Sequence, residues 1–249
     1  MYNNQIEKNI LYEDRDILVC RKPSGMPVQA AGIGTMDMES ALKNYLAQKN
    51  PRKMPYLAVI HRLDQPVEGV LVFAKTSGAA GNLSKQIMAG GAGKYYLAVT
   101  EGKPEKSEGT LTDYLKKNGR ANISQTVPAN TPGAKKAILY YKVLDQKEIN
   151  GKIRTFLKIK LETGRHHQIR VQLSHAGMPL LGDRKYNPSG ERGVSLGLCS
   201  CGLEFKHPKT GKQMKFETEP QGSAFLDFSE KNCKNSGRKY EKVYNVKSK

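Results

Sequence analysis

The polar residues best suited to chemistry begin in one short stretch, where His61, Arg62 and Asp64 stand just before a turn and an apolar run. Pro66 supports the turn, because proline fixes φ and disfavours helix before it. A carboxylate at the mouth of a buried element is costly unless it has partners, so Asp64 must be paired. The pattern alone leaves two interpretations open, a catalytic carboxylate and a structural ion pair that ties a loop to the core.

A second polar cluster spans residues 163–170 and reads Thr-Gly-Arg-His-His-Gln-Ile-Arg. Ile169 and Leu173 share helical spacing, and a Gly-Met-Pro sequence soon after supplies a helix stop. The spacing predicts a short helix that places His166 and Arg170 one turn apart on the same face. The histidines invite a general-base role, but a structural role or a contact with a polymer backbone is favoured over it.

Lys94 and Tyr96 form a third group, at the start of an apolar run that continues to Val99. The run predicts a strand that begins with a basic residue and two tyrosines. Without further information Tyr96 is best interpreted as a core residue.

The elements that position these groups are mostly short strands. Their β-branched and alternating apolar residues, bounded by turn residues, are typical of strands, and few helical patterns intervene. This order predicts an α+β fold, a single domain with a mixed, largely antiparallel central sheet flanked by helices and loops. Strands are predicted at 17–20, 70–74, 93–99, 111–115, 137–144 and 156–161, a hairpin over 203–217, and helices over 38–46, with Asp37 as N-cap, and 79–87.

Three segments are predicted to be irregular. Residues 21–25 indicate a basic turn, and residues 116–136, rich in Lys, Asn, Gly and Pro, indicate an exposed, basic, mobile loop. The domain is expected to span residues 1–229, followed by a basic, flexible tail over 230–249.

Composition points to a polyanionic partner. The 249 residues carry a formal net charge of +18, which favours nucleic acid first and an anionic membrane second. No secretory signal or membrane-spanning run is visible, which predicts a reducing cytoplasm with free thiols. Cys199-Ser200-Cys201 lacks the usual zinc spacing and has no matching second pair, so no metal is expected.

Taken together, these motifs closely resemble the RluA-type family of RNA pseudouridine synthases. The family signature His-Arg-Leu-Asp, with Gly and an apolar strand ending in Ala-Lys, stands at residues 61–75, and Lys-x-Tyr-x-Ala stands at residues 94–98. Thr-Gly-Arg-x-His-Gln-Ile-Arg stands at residues 163–170, followed by Leu-Gly-Asp at residues 181–183. The opening Lys-Pro-Ser-Gly at residues 22–25 also corresponds, so the match covers nearly the whole chain in order.

The resemblance implies the pseudouridine synthase fold and isomerisation of uridine to pseudouridine in RNA. It implies no cofactor, a ribosomal or transfer RNA partner, and a monomer. The separate RNA-binding domain that precedes many members is not expected, because the pattern starts near residue 10. The implied catalytic residues are Asp64, Arg170 and Tyr96, and the implied substrate-binding residues are Arg62, His61, Arg165 and Lys94.

The resemblance makes Arg170 the expected guanidinium partner of Asp64, with Arg165 second and Asp183 stabilising a loop. Two departures concern substrate choice: Gln65, Val67 and Glu68 replace the usual Arg and small hydroxylic pair, and His166 replaces a usual Thr.

Two alternatives to the isomerase remain. One is a catalytically silent RNA-binding module on the same scaffold, although the joint presence of the motif residues argues against it. The other is a glycosidase-like hydrolase, which would need a second carboxylate. Glu68 is the only nearby candidate.

Overall fold

The computed structural model describes residues 6–30, 32, 34–188 and 190–229. One sheet organises this part of the chain, with the strand order β1-β2-β4-β10-β5-β9-β8-β6-β7, β3 paired to β4 and β11 paired to β10. The elements are β1 Ile10–Glu13, β2 Ile17–Lys22, α1 Met38–Lys49, β3 Ala58–Val59, β4 Glu68–Ala74, α2 Ser77–Met88, β5 Gly93–Glu101, β6 Glu108–Asn118, β7 Ile123–Thr126, β8 Lys135–Ile149, β9 Lys152–Leu161, α3 Gln168–His175, β10 Leu198–Lys206, β11 Gln213–Glu217 and a 3₁₀ helix Ser223–Phe228.

The sheet is mixed and largely antiparallel, as predicted. The β4–β10 pair is parallel, and the other described strand pairs are antiparallel. All seven residues of β4 are buried, which explains the continuous apolar run in its sequence. The loop before this strand, which carries Asp64, is therefore attached to a fully buried element of the sheet.

Helices cover both faces of β2 and β4. On one face Leu18, Leu71 and Phe73 belong to the main core, which also contains the buried residues of α1 and Ile169 and Leu173 of α3. On the other face Val70 and Val72 pack with α2. The period-2 alternation of the strands thus divides their side chains between two apolar layers.

The predicted helix boundaries agree with the structure. Asp37 caps α1, and its carboxylate accepts the Ser40 backbone N–H. Thr76 caps α2 in the same way through Ala79. Of the helices in the described ranges, none combines the length and apolar character needed to cross a membrane.

The prediction of an irregular loop over residues 116–136 is wrong. Lys116 to Asn118 belong to β6, and residues 123–126 form β7, which pairs with β6 in an antiparallel hairpin. We call β6, β7 and their connection the β6–β7 hairpin. Local composition does not show this strand, because its stability comes from pairing with β6 and from the contacts of Ser124 with His166 before α3 and with Tyr186 after it. The predicted tail over 230–249 lies outside the described residues.

Candidate active site

The loop that carries Asp64 is fastened to the end of β2. Its turn closes through the bond from Val67 N to Asp64 O, 3.0 Å. Gln65 exchanges bonds with Gly25: its carbonyl accepts the Gly25 N–H at 2.9 Å, and its side-chain amide donates to the Gly25 carbonyl at 3.0 Å. The Gln65 departure from the family pattern therefore has a structural role in holding the Asp64 loop.

Lys22 lies beneath this loop, which corrects the prediction of a basic turn over residues 21–25. It is the last residue of β2 and is fully buried. Its ammonium donates to the carbonyls of Pro23, Met26 and Gln65 at 2.6–2.9 Å. Burial lowers its pKa to about 8, and the negative charges of Asp64 and Glu68 oppose the shift. Lys22 therefore fixes the backbone next to Asp64.

Asp64 faces Arg170, as predicted. Arg170 Nη1 lies 3.1 Å from Asp64 Oδ2, and the Asp64 side chain remains 27% exposed. A nearby guanidinium favours the charged carboxylate. Asp64 is thus paired, yet still accessible from outside.

Arg170 is itself held by Asp183. Arg170 Nε and Nη2 donate to the two Asp183 oxygens at 2.8 and 2.7 Å, a bidentate pair. Burial opposes both charges, but this pairing outweighs it, raising the pKa of Arg170 and lowering that of Asp183. Asp183 also accepts the Lys185 and Tyr186 N–H groups, which fits the predicted loop role. The sequence did not predict its bidentate ion pair with Arg170.

His166 and Arg170 do not share a helix face, which corrects the predicted geometry. The helix α3 begins at Gln168, and His167 before it adopts the left-handed conformation with φ 54°. This residue breaks the helical path, so the two histidine rings stack with centroids 3.8 Å apart. His167 Nε2 lies 3.5 Å from Asp64 Oδ2, a proximity the sequence did not indicate.

Lys94 lies close enough to His61 to affect the charge of its imidazole. Burial lowers the pKa of Lys94, with Arg165 adding to the effect. Burial and then Lys94 lower the pKa of His61 to about 4, so its imidazole is neutral at pH 7. His61 Nε2 accepts the Val72 backbone N–H at 3.3 Å, which anchors the ring on β4. A Cβ at Gly164 would lie 3.0 Å from Lys94 Nζ, so the motif glycine leaves room for the ammonium.

Tyr96 lies in the main core on β5, 7% exposed. Burial raises the pKa of its hydroxyl, a hydrogen bond with Ser200 opposes this, and Asp64 adds to the increase. The hydroxyl therefore stays protonated at neutral pH. The electrostatic effect of Asp64 indicates that the two groups are neighbours.

Arg62 and Arg165 are exposed. Arg165 Nε donates to the Lys136 carbonyl at 2.9 Å and is not the partner of Asp64. Within the part of the chain that the structure describes, the Arg62 guanidinium has no hydrogen-bonding partner. Both cations are available to a ligand at the rim.

The Glu68 carboxylate is occupied by backbone groups. It is buried, and its carboxylate accepts the backbone N–H groups of Gln221 and Gly222 at 2.8–3.1 Å. The neighbouring Gly69 has φ 127°, and a Cβ there would lie 2.2 Å from the Ser200 carbonyl oxygen. These two residues join β4 to β10 and to the segment after β11.

The arrangement thus presents one carboxylate at a half-open site, with a guanidinium beside it and further cations at its rim. Such a carboxylate can act as a nucleophile or as a base. Sequence reasoning missed the roles of Lys22, of Asp183 as the partner that holds Arg170, and of Tyr186, whose hydroxyl lies 2.8 Å from His167 Nδ1. It considered His167 as a possible general base but did not place it beside Asp64. Lys22, His167 and Asp183 stand within the motifs, but Tyr186 carries no signal of its own.

Comparison with known proteins agrees with the family resemblance seen in the sequence motifs. The family described as RNA pseudouridylate synthase matches residues 16–175. The chain is 34% identical to "Ribosomal large subunit pseudouridine synthase D" of Pseudomonas aeruginosa, over 86% of this chain and 68% of that protein. It is 32% identical to "Ribosomal large subunit pseudouridine synthase C" of Buchnera aphidicola, over 86% and 67%.

Solved structures agree on the fold. Human RNA pseudouridylate synthase domain containing 4 matches with a TM-score of 0.71 at 22% identity, over 88% of this chain and 91% of that one. Human RNA pseudouridylate synthase domain containing 1 matches with a TM-score of 0.70 at 25% identity, over 88% and 85%.

Proposed function

This chain belongs to the RluA-type family of RNA pseudouridylate synthases, and we propose that it isomerises uridine to pseudouridine within RNA, with Asp64 as its catalytic carboxylate. The observation that supports this role most directly is the chain of contacts from Asp64 to Arg170 and from Arg170 to Asp183. It holds one carboxylate paired, oriented and partly open to solvent.

The reaction breaks the bond between N1 of uracil and C1′ of ribose. The base turns while bound, C5 is joined to C1′, the C5 proton is lost and N1 gains a proton. The atoms and electrons balance without an oxidant or a phosphoryl donor, so the chemistry requires no cofactor. Asp64 either attacks C1′ or removes a sugar proton, and the Arg170 guanidinium 3.1 Å away is placed to orient the carboxylate for either step.

The other residues surround this carboxylate in binding roles. The target base must leave its stack, which costs a few kcal/mol. The exposed Arg62 fills the vacated space or holds a phosphate. Tyr96 offers the uracil an aromatic face and a protonated hydroxyl. Lys94 and Arg165 neutralise backbone phosphates, and the neutral His61 supports the site by hydrogen bonding.

Ribosomal RNA of the large subunit is the proposed substrate, because the bacterial relatives named above carry it in their names. Transfer RNA is the second candidate. We place the enzyme in the cytoplasm, where such RNA is found and where the buried thiols of Cys20, Cys199 and Cys201 would stay reduced.

The hydrolase alternative is weakened by Glu68, whose carboxylate is occupied by two backbone N–H groups. The silent RNA-binding module would have no need for the paired, accessible Asp64. We therefore retain the isomerase.

The test uses RNA labelled with tritium at C5 of uridine, because forming pseudouridine releases that hydrogen to water. Purified protein should release tritium from ribosomal RNA transcripts. Asp64→Asn keeps the size of the side chain and removes its charge, so it should lose at least 10³-fold in rate while RNA binding persists, on the order of what removing an essential catalytic group costs.

Three results would contradict the proposal. Free uracil in the supernatant would identify a hydrolase, and tritium release by Asp64→Asn at the wild-type rate would remove Asp64 from the chemistry. Binding of ribosomal and transfer RNA without tritium release would identify the silent module.

A further inference from the structure

His166 connects the β6–β7 hairpin to His167, the residue beside Asp64. Its Nδ1 lies 2.9 Å from the Ser124 hydroxyl, and its Nε2 lies 3.1 Å from Asn122 Oδ1. Both ring nitrogens therefore bind the hairpin. The flat face of the same ring stacks on His167 at 3.8 Å with 21° between the planes. His166 thus fills the space between the hairpin and the residue beside Asp64.

The contacts of His167 favour one of its two neutral tautomers. The Tyr186 hydroxyl accepts the Ser124 backbone N–H at 2.7 Å, which leaves its own hydrogen available to donate to His167 Nδ1 at 2.8 Å. Nδ1 is then an acceptor, and in a neutral ring the proton lies on Nε2. That N–H faces Asp64 Oδ2 at 3.5 Å. Because burial lowers the pKa of His167 to about 4, the ring is neutral at pH 7.

His166 is also held as a neutral ring. Burial lowers its pKa, with Lys117, Lys185 and Arg170 adding to the effect and Asp64 opposing it. A neutral imidazole donates through one nitrogen and accepts through the other, which matches an Asn122 oxygen and a Ser124 hydroxyl. The charge state and the two hydrogen bonds are therefore consistent with each other.

A threonine, the usual residue at this place, has one hydroxyl and no ring. It could not bind both hairpin groups, and it would leave one face of the His167 imidazole uncovered. We propose that His166 is a positioning residue of this enzyme: by stacking on His167 it holds that ring with Nδ1 on the Tyr186 hydroxyl and Nε2 toward Asp64, and through His167 it aligns the Asp64 carboxylate with the substrate sugar. The inference deepens the function proposed above and rests on it for its kinetic consequence.

The first experiment needs no substrate. Spectra of protein with ¹⁵N-labelled histidine distinguish the two neutral tautomers, and His167→Asn and His166→Thr assign the two rings among the five histidines. Wild-type His167 should be a single tautomer protonated on Nε2. In His166→Thr its nitrogen signals should shift toward a mixture of tautomers.

The matched control is His175→Asn. His175 stands at the other end of α3, is exposed, and pairs with Asp113 of β6 rather than with Asn122 or Ser124, the two hairpin residues that His166 binds. This variant should leave the His167 signals unchanged. If His166→Thr also leaves them unchanged, His166 does not position His167 and the inference is wrong, whatever the RNA assay gives.

The second experiment measures single-turnover tritium release at saturating RNA. His166→Thr should slow the rate constant about tenfold without changing the RNA concentration for half-saturation, since misplacing a reacting group by about 1 Å costs up to about 10²-fold. Ser124→Ala removes one hairpin bond and should slow it less. Because both changes act through one contact, the double variant should be no slower than His166→Thr alone.

His166→Phe separates the stack from the hydrogen bonds. It keeps a flat ring against His167, so we expect it to recover part of the rate lost in His166→Thr. A variant that raises the half-saturating RNA concentration and leaves the saturating rate intact would make His166 an RNA contact and overturn the positioning role. Wild-type protein that forms no pseudouridine would instead refute the proposed function, while the tautomer result would still stand.

Discussion

The contact between Asp64 and Arg170 depends on the planar geometry of a guanidinium, which a lysine cannot reproduce. Arg170 reaches Asp64 through one nitrogen and Asp183 through two others. Arg170→Lys keeps the charge but replaces the planar fork with a single ammonium, which cannot hold both carboxylates in the same geometry. We expect tritium release at saturating RNA to fall on the order of 10²-fold, as for a misplaced reacting group.

The control for Arg170→Lys is the same substitution at the other candidate arginine, Arg165→Lys. Arg165 is exposed and bonds the Lys136 carbonyl, so a lysine can preserve its charge toward RNA. We expect less than a tenfold loss in this variant. If Arg165→Lys were the more impaired of the two, the choice of Arg170 as the functional partner of Asp64 would be wrong.

The pairing of β4 with β10 requires a glycine at position 69. The parallel contact between β4 and β10 brings Gly69 against Ser200, with φ 127° and no space for a Cβ. Gly69→Ala adds about 1–2 kcal/mol of backbone strain and about 1–3 kcal/mol of steric overlap. We expect about 3 kcal/mol of lost unfolding free energy by urea titration, with loss of activity because the Asp64 loop is attached to β4.

Gly81→Ala provides the comparison. Gly81 lies in the interior of α2, is exposed, and an added Cβ would meet nothing within 4 Å. Alanine favours helix, so this variant should gain about 0.5–1 kcal/mol in unfolding free energy. Equal effects of the two substitutions would contradict the steric account of Gly69.

The charge of the whole molecule should govern its affinity for RNA. A net charge of +18 predicts that binding releases counterions from the phosphates. With about six phosphate contacts, affinity should fall roughly 10³-fold between about 50 and about 200 mM salt. Filter binding of ribosomal RNA at several salt concentrations measures this slope, and a flat titration would refute the electrostatic account. Removing residues 231–249 should weaken binding without abolishing single-turnover chemistry at saturating RNA.

Stability should depend on pH through two buried imidazoles. The pKa values of His61 and His167 are both lowered to about 4 from 6.5, chiefly by burial. The unfolded chain therefore binds more protons than the folded one between these values, and the free energy of unfolding falls as pH is lowered from 6.5 toward 4. Urea midpoints over this range should decline, less steeply in His61→Asn. A wild-type midpoint constant over this range would contradict the prediction.

The sequence by itself determined the strand-rich α+β class, most helix boundaries, and the expectation that Asp64 faces Arg170. These follow from local rules: β4 is apolar throughout because it is buried on both faces, and α1 begins where Asp37 can cap it. A buried carboxylate requires a cation, and the family resemblance named Arg170 for it. Each strand and helix signal lies within one short stretch of sequence, and the Asp64–Arg170 pair joins two such stretches.

Only the tertiary structure decided which residues support the site from a distance. Lys22 looked like part of a basic turn, yet three carbonyls surround its ammonium beneath the Asp64 loop. β7 looked like an irregular segment, because its strand exists only through pairing with β6. His166 looked like a helix residue, because nothing local shows that His167 adopts φ 54°. Burial, strand pairing and ring stacking depend on how the chain is arranged in three dimensions, and such contacts leave no periodic trace in the sequence.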